Sequence, residues 1–232
     1  MYLLTPHMKE HATIRIAIAD DHLPIRQGIT KIIADMNMDC MVIIEAADGR
    51  ELLDKIAAAT IQPDICFVDI GMEGMNGYDT MVALTKDYPF IKGIGLSLYL
   101  DKYHILNMIK CGSRGYISKN FSAEELKRAI LVLYEDGFFL SADIKKYYPD
   151  LTEKTAPDMI KKLPDEKEIR YMELLTEDKS HKEIANNMHL SIRTVEHAAE
   201  KIKEKLEVNS RIEIAVYAIK AGIGKFFQNK FR

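Results

Sequence analysis

Cysteine is scarce in this chain: of 232 residues, only Cys40, Cys66 and Cys111 carry a thiol. They are odd in number, far apart and without a C-x-x-C pair, which excludes a disulfide framework and a cysteine zinc site. Cys66 and Cys111 stand in apolar stretches, where buried, inert thiols are expected. No apolar run approaches the roughly 20 residues a membrane helix needs, and residues 1–10 lack the apolar stretch of a secretory signal. The expectation is a reduced, cytoplasmic protein that does not enter membranes. Nor is one sign of charge in excess. Lys and Arg number 32 against 35 Asp and Glu, a formal charge of -3, which excludes a uniformly basic coat for nucleic acid. Internal repeats and low-complexity tracts are also missing.

What is present is a chain that can bury a core, 47% hydrophobic and 29% charged. Its first half alternates. Short apolar strands are expected at 14–19 (I-R-I-A-I-A), 41–46, 65–68, 91–96 and 115–118, with helical periodicity at 23–36, 49–59, 78–86, 102–110 and 122–136. Ser122 with Glu125 fits a capping box, and Gly137 is the stop. Strands of this kind between amphipathic helices imply a five-stranded parallel, doubly wound sheet covered on both faces. Pro149, Pro157 and Pro164 interrupt the next stretch, so 138–163 reads as a linker with a short helix around 141–148. Everything beyond is helical. Asp165 with Glu168 and Ser180 with Glu183 fit capping boxes, and Ser191 is an N-cap for a helix over 192–206. Ile212, Ala215, Val216, Ile219 and Ile223 mark one face of a last helix. The domains are expected at 12–137 and 164–225.

Parallel sheets bind ligands at the carboxyl ends of their strands. Here those ends carry Asp20 and Asp21, then Asp69, Ser97, Ser118 and Lys119. Three carboxylates in one crevice repel each other unless a divalent cation neutralises them, and Mg2+ suits such oxygen ligands. Asp69 precedes a loop with Gly71, Gly74 and Gly77, which lets backbone approach a ligand. A carboxylate held there can attack phosphorus and form an acyl phosphate. Lys119 and the Ser97 hydroxyl suit the phosphoryl oxygens. Each residue alone has a blander role: helix cap, strand-end hydroxyl, half-buried tyrosine or surface lysine. Their joint placement at strand ends argues against coincidence.

The stretches Ile18-Ala19-Asp20-Asp21-His22, Val68-Asp69-Ile70-Gly71-Met72, Gly95-Leu96-Ser97 and Gly115-Tyr116-Ile117-Ser118-Lys119 resemble the receiver domain of two-component response regulators. The resemblance implies that Asp69 accepts phosphate from a histidine kinase. It further implies that Asp20, Asp21, Asp69 and the Gly71 carbonyl hold Mg2+. Ser97 and Tyr116 would form the switch, and Lys119 would bind phosphate. Glu73 stands where the family usually has proline, adding negative charge, and Leu98 replaces a small residue and is expected to restrict access.

Residues 165–223 resemble the LuxR-type helix-turn-helix domain (the NarL/FixJ type) through Lys182-Glu183-Ile184-Ala185, Leu190-Ser191, Thr194-Val195, Ile202, Lys205-Leu206, Val208 and Ser210-Arg211. This implies an active homodimer whose 192–206 helix enters the major groove of double-stranded DNA. Ile184, Leu190, Val195, Ile202 and Leu206 would supply its core. Ser191, Arg193, Thr194, His197, Lys201 and Lys205 are the candidate contacts. Glu196, Ala198, Ala199, Glu200 and Glu204 stand where many relatives carry basic or polar groups, and glutamates facing DNA oppose phosphate attraction. A phosphorylation-gated protein-interaction switch without specific DNA binding is therefore the alternative reading. A phosphohydrolase of the haloacid-dehalogenase kind would need an Asp two residues after Asp69, where Gly71 stands, so an enzyme is not expected. The charge divides accordingly: 1–136 carries -5, while 137–163 and 164–232 each carry +1.

Overall fold

The computed structural model describes residues 13–135, 137–221 and 223. It divides into two compact units that meet in sequence at Lys154 and Thr155, the short segment Asp101–Leu106 grouping with the second. The proposed domain limits at residues 12 and 225, and the helix end at Asp136, lie outside the described residues.

The first unit is a parallel sheet in the order β2-β1-β3-β4-β5-β6. Its strands are β1 (Ile14–Ala19), β2 (Cys40–Ala46), β3 (Ile65–Asp69), β4 (Lys92–Ser97), β5 (Gly115–Ser118) and β6 (Phe139–Leu140). Between them run α1 (Leu23–Asp35), α2 (Gly49–Ala58), α3 (Gly77–Asp87), α4 (Lys102–Lys110) and α5 (Ala123–Tyr134), and α6 (Ala142–Tyr147) follows. The central strands are apolar on both faces because helices cover both. Ile16, Ile18, Ile65, Phe67, Ile94, Leu96 and Ile117 are all fully enclosed, with Leu126, Ile130 and Leu133 of α5 packed on them.

The sheet has six strands where five were expected, and the sixth falls inside the proposed linker. A two-residue strand carries no periodicity to read. It forms because Phe139 N–H donates to Arg114 O (3.0 Å) and Ser141 N–H to Tyr116 O (3.1 Å). Gly115 makes this possible, since a Cβ there would lie 1.9 Å from Phe139 O. The capping box at Ser122 is half formed. Ser122 Oγ accepts from Glu125 N–H (3.1 Å), but the Glu125 carboxylate accepts from Ala142 N–H (2.6 Å) and ties α5 to the start of α6.

The second unit holds α7 (Ala156–Ile160), α8 (Glu166–Thr176), α9 (His181–Met188), α10 (Ile192–Leu206) and α11 (Arg211–Lys220). Pro157 lies in the first turn of α7 rather than breaking a helix, a position where its missing N–H costs nothing. Both expected capping boxes are complete, at Asp165–Glu168 and Ser180–Glu183. The core comprises Tyr171, Met172, Leu175, Ile184, Val195, Ala199, Ile202, Ile214 and Ala218. Leu190, expected in that core, is 38% exposed. The expected face of the last helix is also displaced: α11 buries Ile214 and Ala218 and leaves Ile212, Val216 and Ile219 exposed. This helix is apolar on more than one side, so periodicity alone cannot select the buried stripe.

Leu140 is buried on the last strand. Leu140→Ala is expected to cost about 2–5 kcal/mol, read as a lower urea midpoint; an unchanged midpoint would show that β6 contributes no stability.

Candidate functional site: an acidic crevice and an exposed helix

Strand register builds the crevice. Ala19 pairs with Val68, Val68 with Gly95 and Gly95 with Tyr116, so the residues just beyond this row share one end of the sheet. Those residues are Asp20 and Asp69, then Ser97 opposite Ser118, then Lys119. The β3–α3 loop is held tight at Gly77, where a Cβ would lie 2.1 Å from Asp69 O, and Gly77 N–H donates to Ile70 O (3.1 Å).

Lys119 Nζ lies 2.7 Å from Asp20 Oδ2 and 3.0 Å from Asp69 Oδ2, with all three side chains almost wholly enclosed. Ligand atoms of Asp20, Asp21, His22 and Asp69 all fall within 4.8 Å of one another. His22 is the member the sequence reading passed over. Its Nδ1 is 2.7 Å from Asp21 Oδ1 and 3.5 Å from Asp20 Oδ1, and its place beside the aspartate pair was the available signal. Arg26, also missed, donates to the Asp20 carbonyl at 2.5 Å. No helical spacing signalled this contact, since Arg26 lies six residues on and Asp20 precedes α1. Asp20 Oδ2 and Asp21 Oδ1 are buried and accept no hydrogen bond, although Lys119 Nζ and His22 Nδ1 each stand 2.7 Å from one of them. Hard oxygen donors left in this state fit a divalent cation.

Gly71 N–H donates to the Asp69 carboxylate, so the loop backbone does approach the acid. Glu73 is exposed, and its N–H reaches Asp21 Oδ2 at 3.4 Å. Ser97 Oγ accepts from Tyr99 N–H (3.0 Å), while the Tyr116 hydroxyl donates to Tyr99 O (2.6 Å). Tyr99 thus joins Ser97 to Tyr116, the two residues expected to form the switch, a link that no motif announced. Tyr116 is fully buried, and Leu98, expected to restrict access, is 62% exposed.

Burial raises the Asp69 carboxyl above its ordinary range. The nearby Asp20 charge adds to this, and Lys119 and the Gly71 N–H oppose it. The folded protein therefore keeps this proton to higher pH than the unfolded chain does. Ionised Asp69 lowers stability at neutral pH, and stability recovers as pH falls through the raised folded value. Asp69→Asn should accordingly raise Tm of the metal-free protein at pH 7. The difference should shrink as pH approaches the unfolded carboxyl value of about 4; a lower Tm for the variant would contradict this account.

In the second unit, Ser191 Oγ caps α10 by accepting from Thr194 N–H (3.1 Å), and Ser191 and Thr194 hydroxyls lie 2.8 Å apart. Arg193, Thr194, His197 and Lys201 are exposed. Lys205 departs from the expectation of a DNA contact. Its Nζ donates to Glu168 Oε2 (2.5 Å) and Leu163 O (3.2 Å), tying the end of α10 to the capping box of α8. The partner was unreadable in the sequence because Glu168 lies 37 residues away. Lys205→Met should cost about 1–3 kcal/mol, measured by thermal or urea unfolding; no loss would leave the ammonium free for another role.

An acidic, lysine-clamped crevice on a doubly wound sheet, joined in one chain to a helix-turn-helix module, defines a signalling switch with a nucleic-acid-binding type of output. Comparison with known proteins agrees. Residues 16–131 match the response regulator receiver domain, and residues 166–218 match the bacterial regulatory proteins of the luxR family. Among curated relatives, the oxygen regulatory protein NreC of Staphylococcus epidermidis is 27% identical over 92% of this chain and 100% of its own. The transcriptional regulatory protein LnrK of Bacillus subtilis is 27% identical with the same coverage. RcsB from Salmonella enterica serovar Typhimurium, solved bound to promoter DNA with the phosphomimetic BeF3-, shares the fold at a TM-score of 0.64 and 20% identity. That match covers 91% of this chain and 100% of the other. The chain belongs to the response regulators that join a receiver to a LuxR-type domain, and it is a transcriptional response regulator. No helix among the described residues is long and apolar enough to cross a membrane.

Proposed function

We propose that this is a cytoplasmic protein and that Asp69 is the phosphoacceptor for its cognate histidine kinase. The carrying observation is the Asp69 carboxylate at the end of β3, enclosed beside Lys119 Nζ and clustered with Asp20 and Asp21. A carboxylate oxygen of Asp69 attacks phosphorus, the N–P bond of the kinase phosphohistidine breaks, and the imidazole nitrogen takes up a proton. Asp20, Asp21, Asp69 and the Gly71 carbonyl would hold Mg2+, which neutralises charge on the carboxylates and phosphoryl oxygens. Lys119 is already within reach of Asp69 and follows the new negative charge. The Ser97 hydroxyl turns to a phosphoryl oxygen and releases Tyr99 N–H, which loosens the β4–α4 loop. Tyr116 holds the Tyr99 carbonyl meanwhile.

The loosened loop biases the chain toward a homodimer that binds double-stranded DNA. Two copies of α10 then enter successive major grooves, with Ser191, Arg193, Thr194, His197 and Lys201 as contacts. The receiver module of 12–137 is completed by β6 and α6, while 164–225 carries the output. Incubation with acetyl phosphate and Mg2+ should label the wild type and leave Asp69→Ala unlabelled. In a gel shift, only the labelled protein should form the retarded complex at low concentration. Equal labelling of the variant would refute the acceptor assignment.

A further inference from the structure

The charges of α10 lie in two parallel stripes. Val195, Ala199 and Ile202 face the core. On the outer side, Arg193, His197 and Lys201 follow one another at four-residue spacing, and Glu196, Glu200 and Glu204 form a second row three residues along; all six are exposed. The acids of the second row are not equivalent. Glu200 is neutralised by Lys203 at 2.7 Å, and Glu204 lies in the last turn, away from the capped N-terminal end. Glu196 lies in the N-terminal half. Its neighbours at helical spacing are Ile192, Arg193, Ala199 and Glu200, and it makes no ion pair or hydrogen bond among the described residues.

An unpaired carboxylate near the leading end of a groove-entering helix is repelled by phosphate. A donor on a base edge would offset that repulsion. The major groove offers two exocyclic amino donors. Adenine sets its N6 donor beside the N7 acceptor, which repels a carboxylate, whereas cytosine offers its N4 donor without an adjacent acceptor on the same base. We infer that Glu196 is a specificity-determining residue that reads cytosine in each half-site, with Arg193 on the neighbouring stripe available to a nearby guanine. Sequence preference in this protein thus comes from a contact that lowers non-specific affinity while it selects a base.

The inference rests on the DNA-binding reading above, and the test separates the two. Full-length wild type, Glu196→Ala and Glu196→Gln are each treated with acetyl phosphate and Mg2+ and used to select from a random-sequence duplex library. Wild type should enrich cytosine at one position per half-site. Glu196→Ala should lose that preference by roughly 10-fold or more while keeping the others, and Glu196→Gln should shift it toward adenine. Both variants should match the wild-type Tm, since the side chain is exposed. A wild-type site whose base preferences are identical in both variants would overturn the cytosine assignment and leave DNA binding intact. Failure of wild type to enrich any sequence would overturn both.

Discussion

Lys119 reaches between Asp20 and Asp69, all three side chains almost wholly enclosed, and the first unit is organised around that contact. Two buried carboxylates repel each other, and each loses its hydration; one ammonium offsets part of both costs. Such a group persists only where the surrounding sheet sets the strand ends rigidly. The register of β1, β3, β4 and β5 does this, placing Asp20, Asp69, Ser97 and Lys119 at the carboxyl ends of adjacent strands. A slip by one residue would turn Asp69 to the other face and remove the site.

The same imbalance explains why the crevice can act as a switch. With Asp69 held above its usual carboxyl range by burial, a cation bound beside it would relieve a strain already present in the resting protein. In the proposed mechanism Tyr99 lies at the outlet of the change. Its N–H serves Ser97 and its carbonyl serves Tyr116, so a new partner for Ser97 alters a loop whose neighbour, Leu98, faces solvent. The second unit shows a parallel economy of charge. Lys205 is committed to Glu168 and Leu163, which leaves outward contact to a small set on α10. A nearly neutral output domain then depends on placement of individual side chains more than on bulk attraction.

Much of this was legible in the residues. Apolar strands between amphipathic helices fixed the doubly wound class, since a strand buried on both faces cannot alternate. The Asp pair, Asp69, Ser97 and Lys119 could be assembled because chemistry at parallel sheets collects at strand ends. Capping signals are local, and those at Asp165, Ser180 and Ser191 form as read. Failures came where the deciding partner is distant. Glu125 forgoes the Ser122 N–H for Ala142, 17 residues away. β6 is too short to show a period, and α11 is too uniformly apolar to show which side is buried.

The sequence by itself determined the kinds of groups present, their spacing and the elements that carry them, because propensity, periodicity and caps act within a few residues. Only the tertiary structure decided which charges meet. The 2.7 Å contact of Lys119 with Asp20 spans 99 positions of chain, and the pairing of Lys205 with Glu168 spans 37. The near-absence of net charge could not distinguish a clamped crevice from a scatter of surface ions. Burial made the difference: Coulomb attraction is weak between groups in water and strong between those the fold has desolvated.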